Sequence, residues 1–516
     1  MPKKHQVPKL QDLALHSVGE YVTDFGKSII HPVCTLAKTN PELSLLTLQT
    51  LIQSMKHHLN SSIPWHLCDQ LSIHILRAIA NLINEMRNTY RRSFLSEVNV
   101  VVSLTEIVIH ENLKSIEFAA WPKIMRHLLY NKLHELRGLE VLDLGSGSAG
   151  WRTSDIEKII IGAVSMMKNL VSFILCFDCT DNIILALTQN CLKLQKLDVT
   201  ASGSVTDRSI PPLMKCHYLR EIKLFRTSVT IPGYANLLLG HPNLEDLGRY
   251  DELGYVLEYI RTKIDNFQPF SLRAFESRNV SADHLYLLVE MCPFIRNFSI
   301  LRDERIEDLS ILASLNELRE LKLLSCSFYT NGVNTLLNLK GSQIVSLHLE
   351  HVDEIDLSAL VCISQFCPGI KSLIFYNCEF LELTNNPRRL AVSPFKHLER
   401  IKCASECANM HLEYLLSHCL NVKFIQLGSS TGIDDATMRR VLMRNPMCQL
   451  EELKILYSAD LSMKTVKILM QNCKNLRRLS ELESWQGITI DELELFRRDL
   501  SLNNIDLDTS PTLSLA

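Results

Sequence analysis

The amino-acid sequence predicts an α/β solenoid built from repeats and preceded by a helical module. Three observations support this fold class. A short apolar phrase recurs roughly every 26 residues through most of the chain. A helix-starting residue follows it in many units, and several of the 16 cysteines keep a fixed distance from it. Such an array lets 516 residues build one elongated core, because each unit packs only on its neighbours.

Residues 1–105 have the apolar spacing of helices. Apolar residues at intervals of three and four predict one stripe on a first helix: Leu10, Leu13, Ala14, Val18 and Val22. Asn40-Pro41 is typical of a helix start and predicts a second helix that ends near His58. A third helix is predicted from Ser62, with apolar residues at Leu67, Leu71, Ile75 and Ile79. These residues therefore form a predicted helical N-terminal module.

Residues 106–507 repeat the phrase apolar-x-x-apolar, often extended by x-apolar. Its first apolar residues are Leu113, Leu139, Leu170, Leu194, Leu219, Leu244, Leu272, Ile295, Leu318, Ile344, Ile370, Leu398, Val422, Leu450, Leu476 and Leu502. Each phrase predicts a short parallel strand whose apolar side chains point into the core. The residues between them then line the inner face of a horseshoe. The phrase and its period are those of a leucine-rich repeat.

The second half of each repeat predicts an outer helix. Residues that can start a helix stand about twelve positions after the beginning of the phrase. They are Thr206, Glu307, Thr330, Asp356, Asp434 and Ser462, of which Glu307 is the poorest cap. Strand plus helix in every unit predicts a parallel inner sheet with a ring of helices outside it.

The cysteines follow the repeat as well. Those three residues before a strand phrase are Cys191, Cys216, Cys292, Cys367, Cys419 and Cys473. Cys326 and Cys378 fall at the turn after a strand. Equivalent positions in successive repeats indicate stacked, buried thiols rather than disulfides. The pattern over residues 106–507 resembles the cysteine-containing repeats of ubiquitin-ligase receptor proteins.

Charge and composition exclude several classes of function. A formal net charge of −3 provides no basic excess for a nucleic-acid backbone. The first residues lack the apolar core of a secretory signal, and no apolar run is long enough to span a membrane. We therefore expect no binding to nucleic acid or membrane, and a protein with reduced thiols in the cytoplasm, the nucleus or both.

No pattern in the sequence predicts catalysis, a cofactor or a metal site. Cys176 and Cys179 have metal-like spacing but no second pair at a suitable distance. Cys403, Cys407 and His411 suggest a zinc site, yet Cys403 occupies an apolar position of its strand phrase. There is no phosphate-binding glycine loop and no recognisable nucleophile motif. We therefore expect a binding protein rather than an enzyme.

Two segments of the N-terminal module resemble a known pair of docking motifs. The first resembles an elongin B/C box, which implies adaptor-binding residues Leu10, Leu13, Ala14 and Val18. The second resembles a cullin box, which implies cullin-binding residues Ile63, Pro64, Leu67 and Leu71. A box pair ahead of leucine-rich repeats is similar to the substrate receptors of elongin–cullin ubiquitin ligases, including PRAME-like proteins. Such motifs dock one apolar helix face in a partner groove.

This sequence departs from the family pattern in three places. Ala14 stands where the family usually has cysteine, and Lys9 where it has proline or a small polar residue. The gap between the two segments is also longer than is typical. Two alternatives therefore stay open. Ile63 to Leu76 could open an F-box that binds a Skp-type adaptor, or the helices could only cap the core of a scaffold or inhibitor.

The inner face of the repeats is the predicted site for a protein substrate. The inner-face side chains offer aromatic and arginine groups, which often dominate interface energy. The candidate contacts on this face are Phe225, Arg226, Lys322, His348, His351, Tyr376, Lys402, Lys454 and Tyr457. Acidic residues come early on this face and lysines late, which favours an acidic partner for the C-terminal half. The breaks at Leu244 and at 382–393 predict projecting loops, and 508–516 is predicted to be a disordered tail.

Overall fold

The computed structural model describes residues 2–89, 95–146, 153–264, 268–302, 306–382, 394–407 and 409–512. The chain divides into two compact units. Pro8–Arg249 form the N-terminal unit, whereas Tyr250–Ala516 together with Met1–Val7 form the C-terminal unit. The N-terminal helices thus belong to the same unit as the first repeats.

The N-terminal unit begins with four helices, α1 (Leu10–Thr39), α2 (Pro41–Ser62), α3 (Cys68–Thr89) and α4 (Leu95–Ser103). Its strands are β1 (Ser115–Glu117), β2 (Val141–Ser146), β3 (Ser172–Cys176), β4 (Lys196–Asp198) and β5 (Glu221–Lys223). Its further helices are α5 (Lys123–Asn131), α6 (Thr153–Val164), α7 (Asp181–Asn190), α8 (Ile210–Leu213) and α9 (Ile231–Gly240). The strands form one sheet in chain order.

The C-terminal unit continues the alternation. Its helices are α10 (Leu253–Lys263), α11 (Ala282–Met291), α12 (Val333–Lys340), α13 (Leu357–Phe366), α14 (Asn409–His418), α15 (Asp435–Arg444), α16 (Met463–Asn472) and α17 (Ile490–Leu502). Its main sheet contains β6 (Ala274–Val280), β7 (Asn297–Arg302), β8 (Glu320–Leu324), β9 (Ser346–Glu350), β10 (Ser372–Tyr376), β11 (Arg400–Ala404), β12 (Phe424–Leu427), β13 (Glu452–Ile455) and β15 (Arg478–Ser480). A separate pair joins β14 (Ser458–Ser462) to β16 (Trp485–Gly487).

Equivalent apolar residues of the phrase lie side by side in both sheets. All strand pairs in them are parallel, and the register aligns one buried residue of each strand with the next, as Leu347 with Leu373 and Leu373 with Ile401. Burying such a side chain contributes about 1.5–3 kcal/mol, so the stacked rows are the main source of stability. The predicted α/β leucine-rich-repeat fold is confirmed.

Left-handed residues end many of the strands. Position seven after the first apolar residue has a positive φ at Phe177, Ala201, Arg226, Ser325, His351 and Asn377. Several of their amides donate to a carbonyl of the following strand, for example Ala201 N to the oxygen of Phe225 at 2.7 Å. The turn thus extends the hydrogen-bond ladder beyond the strand.

The cysteines before the strands are buried and belong to this packing. Each of the 16 cysteines is a free thiol. Cys191 Sγ donates to the carbonyl oxygens of Val164 and Met167, at 3.6 and 3.3 Å. In two repeats the equivalent helix-end position holds another donor, His241 or Asn445, that also meets a carbonyl of the preceding repeat. Cys419 Sγ likewise donates to the carbonyl oxygen of Leu416 at 3.2 Å, so these two thiols satisfy carbonyl groups at helix ends.

The helix starts were predicted correctly in part. Asp356, Asp434 and Ser462 cap α13, α15 and α16 through their side chains. Thr206 caps a short 3₁₀ helix at 207–209. Thr330 does not cap α12, which begins after Gly332 in the left-handed conformation. Glu307 does not act as a cap either, since it is the Asp308 side chain that accepts from the amide of Ser310 at 2.8 Å.

Two predicted elements of the N-terminal module need correction. Ser62 ends α2 instead of starting a helix, and α3 begins at Cys68. The cause is Pro64, which pushes Ile63 into an extended conformation. The buried stripe of α1 is also displaced from the predicted one and consists of Leu15, Gly19, Val22, Thr23, Gly26, Ile29 and Val33.

The C-terminal end differs as well. Leu502 ends α17 and is 76% exposed, so the predicted phrase from Leu502 is wrong. The parallel bridge to Arg478 is made by Asp508. The following Thr509 is buried and accepts a hydrogen bond from Arg497 at 3.0 Å, which replaces the predicted disorder between 508 and 512 with packed chain. Residues 513–516 lie outside the described residues, and so does the predicted loop at 382–393 apart from Glu382.

Candidate protein-binding surfaces

An apolar groove lies between α1 and the start of α3 in the N-terminal unit. It has a volume of about 470 Å³. Its walls are Leu10, Gln11, Ala14, Leu15, Val18, Ile63, Pro64, His66, Leu67 and Leu71. We call it the α1–α3 groove. It contains three of the four predicted adaptor-binding residues and all four predicted cullin-binding residues.

Close helix packing holds the two walls together. At Gly19 a Cβ atom would lie 3.2 Å from both Ala78 Cβ and the carbonyl oxygen of His74, so only glycine lets α1 approach α3 without displacing it. Gln11 Nε2 donates to Gln70 Oε1 at 2.9 Å across the same seam. The position of the groove is therefore fixed by the α1–α3 contact.

Apolar side chains are exposed at the rim of this groove. Leu10 is 83% exposed and Ala14 is exposed, whereas Leu15 and Leu71 form the buried floor. Leu13 is 40% exposed but does not line the groove, because it lies on another face of α1. The site thus offers a projecting leucine beside an apolar hollow, which suits a partner with its own apolar face.

A polar groove continues along the same two helices. It is lined mainly by charged and polar groups of α1 and α3, among them Glu20, Asp24, Lys27, Arg77 and Glu85. Its volume is about 590 Å³. A partner lying along both grooves would therefore need an apolar end and a charged end.

The open face of the main C-terminal sheet is the second candidate surface. The register aligns its central row in the order Glu276, Ser299, Lys322, His348, Ile374, Lys402, Gln426, Lys454 and Ser480. The predicted contacts Lys322, His348 and Lys402 thus lie in one row, with Tyr376 exposed one step further along β10. Ile374 and Gln426 in this row were not singled out from the sequence.

Lys322 and His348 share one carboxylate. Glu350 Oε2 is 3.6 Å from Lys322 Nζ and 3.6 Å from His348 Nε2. Burial lowers the pKa of His348, Lys322 and Lys402 lower it further, and Glu350 only partly opposes them. His348 is therefore held toward its neutral form, and its ring can exchange hydrogen bonds with a partner.

Two predicted contacts near the C-terminus are less available. The side chain of Lys454 is only 14% exposed, lies 3.6 Å from Glu481 Oε1 and donates to the hydroxyl of Thr512. It takes part in the packing of the C-terminal segment, and its assignment as a partner contact stays a prediction. Tyr457 remains exposed, with its hydroxyl bonded to Gln486.

Phe225 and Arg226 lie in the N-terminal unit at the end of β5. Arg226 Cζ is 5.2 Å from the centre of the Phe225 ring, and Arg249 Cζ is 4.6 Å from it. The sequence pattern did not indicate Arg249 as a contact residue, because Arg249 belongs to the irregular unit at Leu244. That unit forms a single bridge instead of a strand. The three side chains form one cationic–aromatic cluster.

The early strands have acidic central positions, as the sequence indicated. Glu117, Asp143, Ile174, Asp198 and Lys223 are aligned across β1 to β5. Burial raises the pKa of Asp143, and Asp198 adds to that effect against the hydrogen bond from Gly145. This face of the N-terminal unit therefore differs in charge from that of the C-terminal unit.

The cysteine candidates Cys179, Cys403 and Cys407 are buried. Cys403 Sγ and Cys407 Sγ are 3.3 Å apart and buried, while His411 packs against the Phe380 ring at 5.3 Å. Cys179 is buried, and burial raises its pKa. Among the described residues no group of three or more His, Cys, Asp or Glu side chains is arranged to hold a metal ion. In the same part of the chain, no helix combines the length and apolarity needed to cross a bilayer.

Comparison with known proteins gives similarity of fold only. No protein-family model matches the sequence, and no curated protein matches it. A crystal structure of the yeast Rad7 and Elc1 complex is similar at 15% identity and TM-score 0.41, covering 66% of this chain and 89% of that chain. A leucine-rich-repeat protein of Leptospira interrogans has 16% identity, TM-score 0.37 and coverages of 77% and 95%. An internalin of Listeria monocytogenes has 17% identity, TM-score 0.31 and coverages of 69% and 83%.

The chain has a leucine-rich-repeat fold. That assignment rests on the parallel strands and on the alignment of their buried residues, not on the comparisons.

Proposed function

We propose that this chain is a non-catalytic substrate receptor of a multi-subunit ubiquitin ligase. In this proposal the α1–α3 groove docks the ligase through an elongin-type adaptor and a cullin, and the open strand face binds the target protein. The receptor acts by raising the local concentration of the target beside the ligase. We place this activity in the cytoplasm or the nucleus.

One observation carries the proposal. The two segments that resemble an adaptor box and a cullin box are far apart in sequence, yet they line one apolar groove. A helical cap would need only to cover the first repeat, and it would not require Leu10 to project at 83% exposure beside an apolar hollow. Adaptor and cullin would therefore bind at adjoining positions on one surface.

Recovery of partners tests the proposal. The tagged full-length chain is mixed with purified elongin B/C, with a Skp-type adaptor, or with neither, and bound protein is measured. We expect elongin B/C to be retained, and Leu10→Asp together with Ala14→Asp to reduce retention at least tenfold, because charge is then placed in an apolar contact. Leu45→Asp on α2 is the matched control, since Leu45 is 61% exposed and lies outside the groove.

The alternatives give different results in the same experiment. Retention of a Skp-type adaptor instead of elongin B/C would support the F-box interpretation. Retention of neither, or retention that the groove variants do not change, would leave a scaffold or inhibitor whose N-terminal helices only cap the repeats.

A further inference from the structure

The open strand face of the C-terminal unit contains a cationic and apolar patch on β10, β11 and β12. It consists of Ile374, Tyr376, Arg400, Lys402 and Phe424, and we call it the β11 patch. Lys402 lies directly beside Ile374 in the strand register, and Arg400 lies beside Phe424. Arg400 Cζ is 4.7 Å from the centre of the Phe424 ring.

Three lysines on or beside strands of the same sheet are paired with carboxylates, whereas among the described residues the two cations of this patch are not. Lys322, Lys423 and Lys454 each have a carboxylate within 4 Å, from Glu350, Glu399 and Glu481. Within the described parts of the chain, neither Arg400 nor Lys402 has a carboxylate at that distance. Positive charge is therefore left uncompensated at the exposed Arg400 and at the half-buried Lys402. At Lys402 an opposite charge from a partner would be screened less than in open water.

The apolar side chains of the β11 patch determine what a partner needs besides negative charge. Ile374 lies between His348 and Lys402 in the central row, and Tyr376 is exposed at the end of the same strand. His348 is held toward neutrality, because burial, Lys322 and Lys402 lower its pKa. An apolar side chain can thus contact Ile374 and Tyr376 while a neighbouring carboxylate meets Lys402.

We propose that the β11 patch binds a peptide segment that presents acidic and large apolar side chains close together. This inference rests on the proposed function of the strand face and names the chemistry of its target. A peptide fits better than a nucleic acid, because the patch has only two uncompensated cations beside aliphatic and aromatic groups, and the whole chain has a net charge of −3.

Selection from a peptide library tests this inference on the full-length chain. Random peptides of about a dozen residues are displayed and selected on the wild-type protein, and the Kd of enriched peptides is measured by fluorescence anisotropy. We expect enrichment of Asp or Glu next to Leu, Ile, Phe or Tyr. We also expect at least tenfold weaker binding to Lys402→Glu and to Arg400→Glu, because both place like charges at the contact.

A control variant and a control peptide show whether the acidic contact is specific. Arg439→Glu, on an exposed position of α15, should leave the Kd unchanged, and an enriched peptide with Gln in place of Asp and Glu should bind at least tenfold more weakly. The inference is overturned if selection yields no acidic enrichment, if Lys402→Glu binds as wild type does, or if single-stranded DNA competes as well as the peptide. Peptide binding without elongin retention would refute the ligase assignment alone, whereas elongin retention without acidic peptides would refute only this inference.

Discussion

At the residue scale, the repeat places several residues in a left-handed backbone conformation that residues other than glycine disfavour. The turn after many strands requires a positive φ, and most residues there are not glycine. Each such residue costs about 1–2 kcal/mol relative to an ordinary conformation. The hydrogen-bond ladder between repeats offsets that cost.

Replacing one of these residues tests the strain directly. Ala201 has a φ of +61°, so we expect Ala201→Gly to raise the free energy of unfolding by about 0.5 kcal/mol after the entropy cost of glycine. Gly145→Ala is the control. There φ is +58° and a Cβ would lie 2.7 Å from Ala119 Cβ, so stability should fall. Urea unfolding measures both variants, and a destabilised Ala201→Gly would contradict the account.

A carboxylate that links two repeats provides a pH-dependent test. Asp435 accepts hydrogen bonds from the amide and hydroxyl of Ser462, at 3.0 and 2.6 Å, and from the Thr465 hydroxyl at 2.6 Å. Burial alone would raise the pKa of Asp435, but these hydrogen bonds outweigh it and hold the pKa below its ordinary value of 3.8. The stabilisation is therefore present above that value and is lost as the pH falls through the lower folded-state pKa.

We accordingly expect Asp435→Asn to lower the free energy of unfolding by about 1 kcal/mol at neutral pH. The difference from wild type should shrink as the pH is lowered below 3.8. Asp491→Asn, at an exposed position in the first turn of α17, should have little effect at either pH. A deficit that stays constant with pH in denaturant titrations would argue against the charged hydrogen bonds.

At the scale of elements, the sequence predicted what is periodic and missed what depends on local exceptions. The strand phrases from Leu113 to Leu476 lie where expected, because each buries the same pair or trio of apolar residues against both neighbours. The exception is the unit at Leu244, which was predicted as a strand phrase with a break and forms a single bridge at Asp246 instead of a strand. The predicted start of α3 at Ser62 was wrong, because the prediction followed the spacing of apolar residues and did not allow for the helix break at Pro64.

The sequence did not predict how α1 packs, for a different reason. The buried stripe of α1 uses Gly19 and Gly26, which a search for large apolar residues overlooks. Close approach of helices needs small residues, and only coordinates reveal which partner they approach. Of the predicted stripe, Leu10, Leu13 and Ala14 are exposed and Val18 is half-buried, whereas its last member, Val22, belongs to the buried stripe.

The α1–α3 contact leads to a prediction at this scale. Gly19→Leu should lower the free energy of unfolding by about 1–3 kcal/mol, because the added side chain meets Ala78 and the backbone of His74. Gly162→Leu is the matched control within α6, where nothing lies within 4 Å of an added Cβ, and it should be neutral or stabilising. Thermal unfolding followed by circular dichroism compares them, and equal effects would contradict the proposed close packing.

At the scale of the whole molecule, the chain combines two kinds of surface. The N-terminal unit presents the α1–α3 groove, and the C-terminal unit presents a strand face with a row of cations. The sequence pointed to several residues that line the groove or the strand face, but it did not show which side chains would lie beside them. No motif shows that the two separate segments line one groove. Nor does a motif show that the Glu350 carboxylate lies close to both Lys322 and His348.

Hydrogen–deuterium exchange of the full-length chain, alone and with elongin B/C plus a cullin, tests the central claim most directly. The account predicts that complex formation slows exchange together in residues 10–18 and 63–71, while the strand face of the C-terminal unit stays unchanged and free for a target. A stable complex whose protection lies outside these two segments, or the absence of any complex, would contradict it.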